Sequence, residues 1–174
     1  MAIAAVAAVL AVVFVLFAAR SSTNGSTAAS PAAGGAAPAQ AAGAFTARTL
    51  DGAGVDVPGS RPSALFFYSV ECGACGPGAQ SLAQVQKAVG AKANFVAVNV
   101  NPGDTAGDIS GFLRDNHAEG LALIKDTDAH LLQAYQVNQL STALILNASG
   151  QVVYRAVDPN AAQIQSELAK AGAR

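Results

Sequence analysis

Cys72 and Cys75 are the only cysteines in 174 residues, and Gly73 and Ala74 alone separate them. A pair at this spacing can close a small disulfide ring or hold one side of a metal ion. The neighbouring residues narrow the choice. Ala64-Leu65-Phe66-Phe67-Tyr68-Ser69-Val70 reads as a buried strand, and Ala79 to Val89 repeats its apolar residues at helical spacing. A strand running into C-x-x-C and on into a helix is the setting in which this motif carries thiol–disulfide exchange. The bland alternative is a permanent structural disulfide, but so short a ring removes little entropy from the unfolded chain. Zinc needs two further ligands, and the only histidines, His117 and His130, lie at no finger spacing from the pair. Both read as surface residues. No metal and no cofactor is assigned.

The elements that must position the pair follow from periodicity and punctuation. Phe45 to Val57 alternates around Asp51-Gly52-Ala53-Gly54, a hairpin signal. Asn94 to Val100 is β-rich and closed by the turn Asn101-Pro102-Gly103-Asp104. Ile109, Phe112 and Leu113 place an amphipathic helix between Thr105 and Asn116. Leu121 to Ile124 is a short strand, and Asp126-Thr127-Asp128 offers the cap of a helix carrying Leu131, Leu132 and Tyr135. Thr142 to Leu146 and Gln151 to Val157 form a second hairpin about Asn147-Ala148-Ser149-Gly150. Asp158-Pro159 then reads as a cap with proline at the first helical position, ahead of Ile164 and Leu168. The order is hairpin, βαβαβα, hairpin and helix, an α/β sandwich around a mixed sheet.

Residues 1–20 form an expected membrane anchor. Ala2 to Ala19 carry no charge, and eighteen helical residues span about 27 Å, enough for a bilayer core. A cleavable signal peptide is the rival, yet no Lys or Arg precedes the run and Phe17-Ala18-Ala19-Arg20 is a poor cleavage site. Residues 21–44 are Ser, Thr, Gly, Ala, Pro, Asn and Gln, a composition that cannot offset the entropy of ordering. As a flexible linker they would reach about 27 Å. Residues 45–174 remain for one folded domain. The net charge of −1, without a basic run, argues against nucleic acid as a partner.

With these elements in place, the chain resembles the thioredoxin superfamily, and within it the membrane-anchored TlpA/ResA-type oxidoreductases. The likeness rests on the anchor and linker, the leading hairpin with Leu50-Asp51-Gly52, the strand entering C-x-x-C, and the extra βα unit from Leu121 to Val137. It implies a thioredoxin-like three-layer α/β sandwich with a central mixed sheet, an N-terminal hairpin extension and an N-terminal transmembrane helix. It also implies a single-pass protein of the cytoplasmic membrane, its domain outside the cytoplasm, exchanging disulfides with protein substrates and drawing on an upstream electron donor. Cys72 would be the nucleophile, exposed at the helix N-cap where backbone N–H groups favour a thiolate. Cys75 would be the resolving thiol and partner in a Cys72–Cys75 redox disulfide. Glu71, Gly73, Ala74, Leu140 and Ser141 would line the substrate groove. Ser69-Val70-Glu71-Cys72 also echoes the T-x-x-C of peroxiredoxins, but Leu65 stands where that family has proline.

Three residues depart from the family pattern. Glu71 replaces the usual tryptophan, and its carboxylate opposes thiolate formation at Cys72. The expected couple is therefore reducing or isomerising. The buried acid of thioredoxins maps to Phe66. The cis-proline facing the cysteines, which pairs its loop's backbone with substrate and keeps metals off the sulfurs, maps to Ser141. A cis bond before a non-proline residue costs about 2.5–4 kcal/mol, so Leu140–Ser141 is expected to be trans. Gly76 and Gly78 flank Pro77 and should loosen the first helical turn. These departures keep a second function in play, a tethered thioredoxin-fold binding module with little redox activity.

Overall fold

The computed structural model describes residues 43–174. The anchor expected at 1–20, and nearly all of the 21–44 linker, lie outside the described residues. Among the described residues no helix is long and apolar enough to cross a membrane.

The core is organised around β3 (Ser63–Tyr68), whose six residues are all buried. A strand covered on both faces reads as a continuous apolar run, as Ala64 to Phe67 does. It pairs in parallel with β4 (Asn94–Asn99), Phe66 opposite Ala97, and antiparallel with β6 (Thr142–Leu146), Phe66 opposite Ala143. β5 (Ala122–Lys125) extends the sheet beyond β4, and β7 (Val152–Val157) extends it beyond β6, giving the order β5-β4-β3-β6-β7. The leading hairpin, β1 (Phe45–Arg48) and β2 (Gly54–Val57), forms its own two-stranded sheet.

Alternation along β3 divides the core. Ala64, Phe66 and Tyr68 meet α1 (Cys75–Val89), α2 (Ala106–Asp115) and α4 (Ala161–Lys170). Leu65 and Phe67 face the opposite layer, built from the hairpin and the short α3 (His130–Ala134). There the Tyr135 ring meets Phe45 edge-on, with centroids 6.1 Å apart. Burying each large apolar side chain contributes about 1.5–3 kcal/mol. The expected three-layer sandwich with a mixed sheet and a hairpin extension is present.

Several boundaries differ from expectation. β3 ends at Tyr68, not Val70, because the Val70 N–H leaves the ladder and donates to the Asp104 carboxylate at 2.9 Å. α2 has the expected ends, Thr105 as N-cap and Asn116 as C-cap, with a Thr105–Asp108 capping box. α3 starts at His130 after left-handed Ala129; the Asp126 carboxylate caps it from a distance, accepting from the Leu131 and Leu132 N–H groups. The cap of α4 is Asn160 and not Asp158. Asn160 and Gln163 form a reciprocal capping box, whereas Asp158 (φ 49°) belongs to the strand end, its N–H on the Ser141 carbonyl.

Candidate active site

Cys72 and Cys75 lie between the C-terminal end of β3 and the start of α1, and they are joined. The S–S bond is 2.11 Å, χ3 is 78° and the Cα atoms are 5.4 Å apart. Cys75 is fully buried in the core beneath the helices, while Cys72 is half-buried and packs on its edge. Cys72 is not the N-cap. That position belongs to Ala74, and the Cys75 N–H donates to the Cys72 carbonyl at 2.9 Å. A turn therefore precedes the helix, and Cys72 sits at its entry. Glu71, Gly73 and Ala74 are exposed around it.

The facing loop comes together with the pair as expected. The Leu140–Ser141 peptide is trans, and Ser141 reaches its place with φ at 60°, in the left-handed region. Its main chain is fully engaged, N–H on the Phe67 carbonyl and C=O accepting from Asp158 N–H, both at 2.9 Å. Its hydroxyl donates to the Ala74 carbonyl at 3.3 Å, inside the disulfide ring. Ser141 is buried. Leu140 is half-buried, and its backbone N–H and C=O have no partner among the described residues.

Gly76 and Gly78 do not loosen the turn; they let it fit. A Cβ on Gly78 would lie 2.5 Å from Phe66 Cζ, and one on Gly76 would run into Asn116 Oδ1. Phe66 stacks on Tyr68 and presses against the helix start.

One residue near the site was read only as part of a turn. Asp104 is buried, and its carboxylate accepts from Val70 N–H, Asn99 Nδ2 and Asn101 Nδ2. The Asn-Pro-Gly-Asp signal gives the turn but not the carboxylate's direction, since Val70 is 34 residues away in sequence. Tyr68, buried with no partner for its hydroxyl among the described residues, is held well above the usual phenol range by burial and then by the charge of Asp104. His117 and His130 stand away from any metal-binding group; among the described residues no three His, Cys, Asp or Glu side chains cluster.

Comparison with known proteins gives a consistent picture. A family model described as Thioredoxin-like matches residues 59–152. A Streptomyces lividans protein called mercury resistance operon ORF3 is 48% identical over 138 residues, 78% of this chain and 73% of that protein. A secreted Mycobacterium tuberculosis disulfide oxidoreductase homologous to DsbE of E. coli has a similar structure, with TM-score 0.61, 23% identity, and coverage of 72% of this chain and 95% of its own. StoA from Bacillus subtilis is similar in fold at TM-score 0.63 and 20% identity, over 74% of this chain and 98% of that one.

Proposed function

This chain belongs to the thioredoxin-like family, and we propose that it is a membrane-anchored thiol–disulfide oxidoreductase acting on protein disulfides outside the cytoplasmic membrane. The observation that carries this reading is the asymmetry of the pair, an accessible Cys72 joined to a buried Cys75. In the reduced protein the Cys72 thiolate attacks one sulfur of a partner disulfide and expels the other as a thiolate, forming a mixed disulfide. Cys75 gives up its proton, attacks the Cys72 sulfur, closes the ring and expels the partner's second thiolate. Two electrons and two protons pass to the partner. An upstream dithiol donor returns them by the same steps in reverse.

The surroundings suit a peptide partner. Gly73 and Ala74 present little side chain, and the free N–H and C=O of Leu140 are available to an extended segment. The apolar run at residues 2–19 supports membrane attachment, and protein disulfides form in oxidising compartments outside the cytoplasm.

Replacing Cys75 by Ser should stall exchange and leave partners attached to Cys72, with the adducts absent once Cys72 is also replaced. The intact protein should reduce insulin. If neither adducts nor insulin reduction is found, a redox-inert binding module is the better account. Protease added to intact, outer-layer-stripped cells should degrade the domain; full protection would place it in the cytoplasm.

A second reading draws on the Streptomyces lividans relative, called mercury resistance operon ORF3, and on Ser141 in place of the proline that keeps metals off the sulfurs. The reduced pair offers two soft thiolates with no cluster of three acidic, imidazole or thiol groups among the described residues. That suits a soft cation satisfied by two ligands, such as Hg(II), better than four-ligand zinc. Binding would release the thiol protons and move no electrons. Reduced protein should take up one Hg(II) per dithiol, and oxidation should block uptake. Equal uptake by a Cys72→Ser variant would set this reading aside.

A further inference from the structure

The segment that carries Cys72 out of the sheet is held by a carboxylate from the β4–α2 loop. Up to Tyr68 the backbone of β3 pairs with β4 in register, and the Tyr68 carbonyl still accepts from Val100 N–H at 3.0 Å. The ladder then stops. The next inward N–H, that of Val70, donates instead to Asp104 Oδ2 at 2.9 Å. The same oxygen accepts from Asn99 Nδ2 at 2.7 Å, and Oδ1 accepts from Asn101 Nδ2 at 2.7 Å. Asp104 is 5% exposed. Cys72 follows Val70 by two residues, a reach of at most about 7 Å.

Among the described residues no cation pairs with this carboxylate directly. Lys125 Nζ donates to the backbone carbonyls of Pro102 and Asp104, so its charge lies behind the group. Tyr68 Oη and Asn99 Oδ1 are both buried without partners among the described residues. Further carboxylates on the adjoining elements are Asp108, bonded to Thr105; exposed Glu71, beside Cys72; and Asp126, whose carboxylate is spent on the Leu131 and Leu132 N–H groups. The Asp104 carboxylate, without a direct ion pair among the described residues, opposes a thiolate at Cys72 and so, at a pH where Cys72 ionises, destabilises the reduced form relative to the disulfide.

We propose that Asp104 is a positioning residue for the disulfide exchange: through the Val70 N–H it fixes the loop that presents Cys72, and its charge biases the Cys72/Cys75 pair toward the disulfide, making the dithiol a stronger reductant. This inference rests on the oxidoreductase reading. The relevant reaction is dithiol plus oxidised glutathione giving the Cys72–Cys75 disulfide plus two reduced glutathiones, which conserves electrons and protons.

The test measures that equilibrium on the full chain at about pH 9, where a cysteine thiol is largely ionised, together with the pH dependence of Cys72 alkylation. Asp104→Asn removes the charge and keeps one oxygen to accept from Val70 N–H and Asn99 Nδ2, giving up the Asn101 contact. It should shift the equilibrium threefold to tenfold toward the dithiol, up to about 30 mV more oxidising, and move Cys72 alkylation to lower pH. Lys125→Met removes the compensating cation and should shift both readouts the opposite way. An Asp104→Asn protein with an unchanged equilibrium and only reduced stability overturns the proposal. Should Asp104→Asn not fold, Lys125→Met decides alone, and an unmoved equilibrium refutes the charge effect. Neither measurement needs a protein partner, so failure to trap one leaves this inference standing. A wild-type pair that never equilibrates with glutathione removes the oxidoreductase reading and this inference with it.

Discussion

Replacing Gly78 by Ala tests whether the first turn of α1 is as tightly fitted as its neighbours indicate. The added Cβ would lie 2.5 Å from Phe66 Cζ, 2.6 Å from Phe66 Cε2 and 3.2 Å from Ser141 Oγ. Carbon atoms rest at about 3.5–4.0 Å, so the ring or the helix must move by about 1 Å. The ring has nowhere easy to go. Phe66 is fully buried and stacked on Tyr68 with centroids 6.1 Å apart, and Tyr68 is stacked on Phe112 at 5.0 Å.

Two effects oppose each other. Alanine in a helix interior is favoured over glycine by about 1 kcal/mol. Overpacking a filled core costs about 1–3 kcal/mol, more where backbone must shift. The net expectation is a loss of about 1–2 kcal/mol, seen as a melting temperature about 3–10 °C lower for a domain of this size. Gly73→Ala is the control. No atom lies within 4 Å of a Cβ there and Gly73 is exposed, so the change should stay within about 0.5 kcal/mol. A Phe66→Leu background should relieve the clash, giving a coupling of about 1 kcal/mol in a double-mutant cycle. A Gly78→Ala protein as stable as the wild type, or more so, would falsify the fitted-turn argument.

Two further substitutions probe other parts of the site and its scaffold. Ser141→Pro restores the residue expected from the resemblance, yet φ at 60° and the N–H donated to Phe67 both exclude proline; the variant should lose about 3 kcal/mol in chemical denaturation, and unchanged stability would show that the loop can rebuild. At the start of α2, the Thr105 hydroxyl and then its backbone N–H hold the Asp108 carboxyl below its ordinary value of 3.8. A folded-state value below the unfolded one adds stability that is complete above the unfolded value and disappears as pH falls through the folded one. The stability difference between wild type and Asp108→Asn should therefore shrink as pH is lowered from neutrality to about 2.5, and a difference independent of pH would contradict that linkage.

What the sequence disclosed divides by the range of the interaction. The strand into Cys72, the helix after Cys75 and both hairpins depend on periodicity and turn chemistry within a few residues, and each is present with its ends shifted by a few residues at most. The cap of α4 was equally local. Asn160-x-x-Gln163 is a capping-box pattern, but Asp158-Pro159 is a competing local signal, and Asp158 was already committed to Ser141 across the sheet. Contacts between distant segments were not legible. Nothing in Gly76-Pro77-Gly78 reveals that Asn116 and Phe66 will occupy the space where side chains would go, and glycine read alone suggests looseness.

The same long-range contacts explain how the site is built at the two positions where the resemblance implies other residues. Phe66 in place of the acid is a packing change with a consequence next door, because its ring fits only if position 78 has no side chain. Ser141 in place of the proline gives up a cis bond, yet its left-handed backbone and its hydroxyl on Ala74 still bring the loop against the disulfide ring. With Phe66 apolar and Ser141 uncharged, neither substitute can tune a thiolate electrostatically. The carboxylates nearest Cys72 in sequence or through the Val70 contact are exposed Glu71, screened by solvent, and Asp104, buried and bonded to the backbone two residues ahead of Cys72. A buried charge is screened far less than an exposed one. The redox bias of the pair should therefore answer to position 104 more than to position 71, although only position 71 touches Cys72 in sequence.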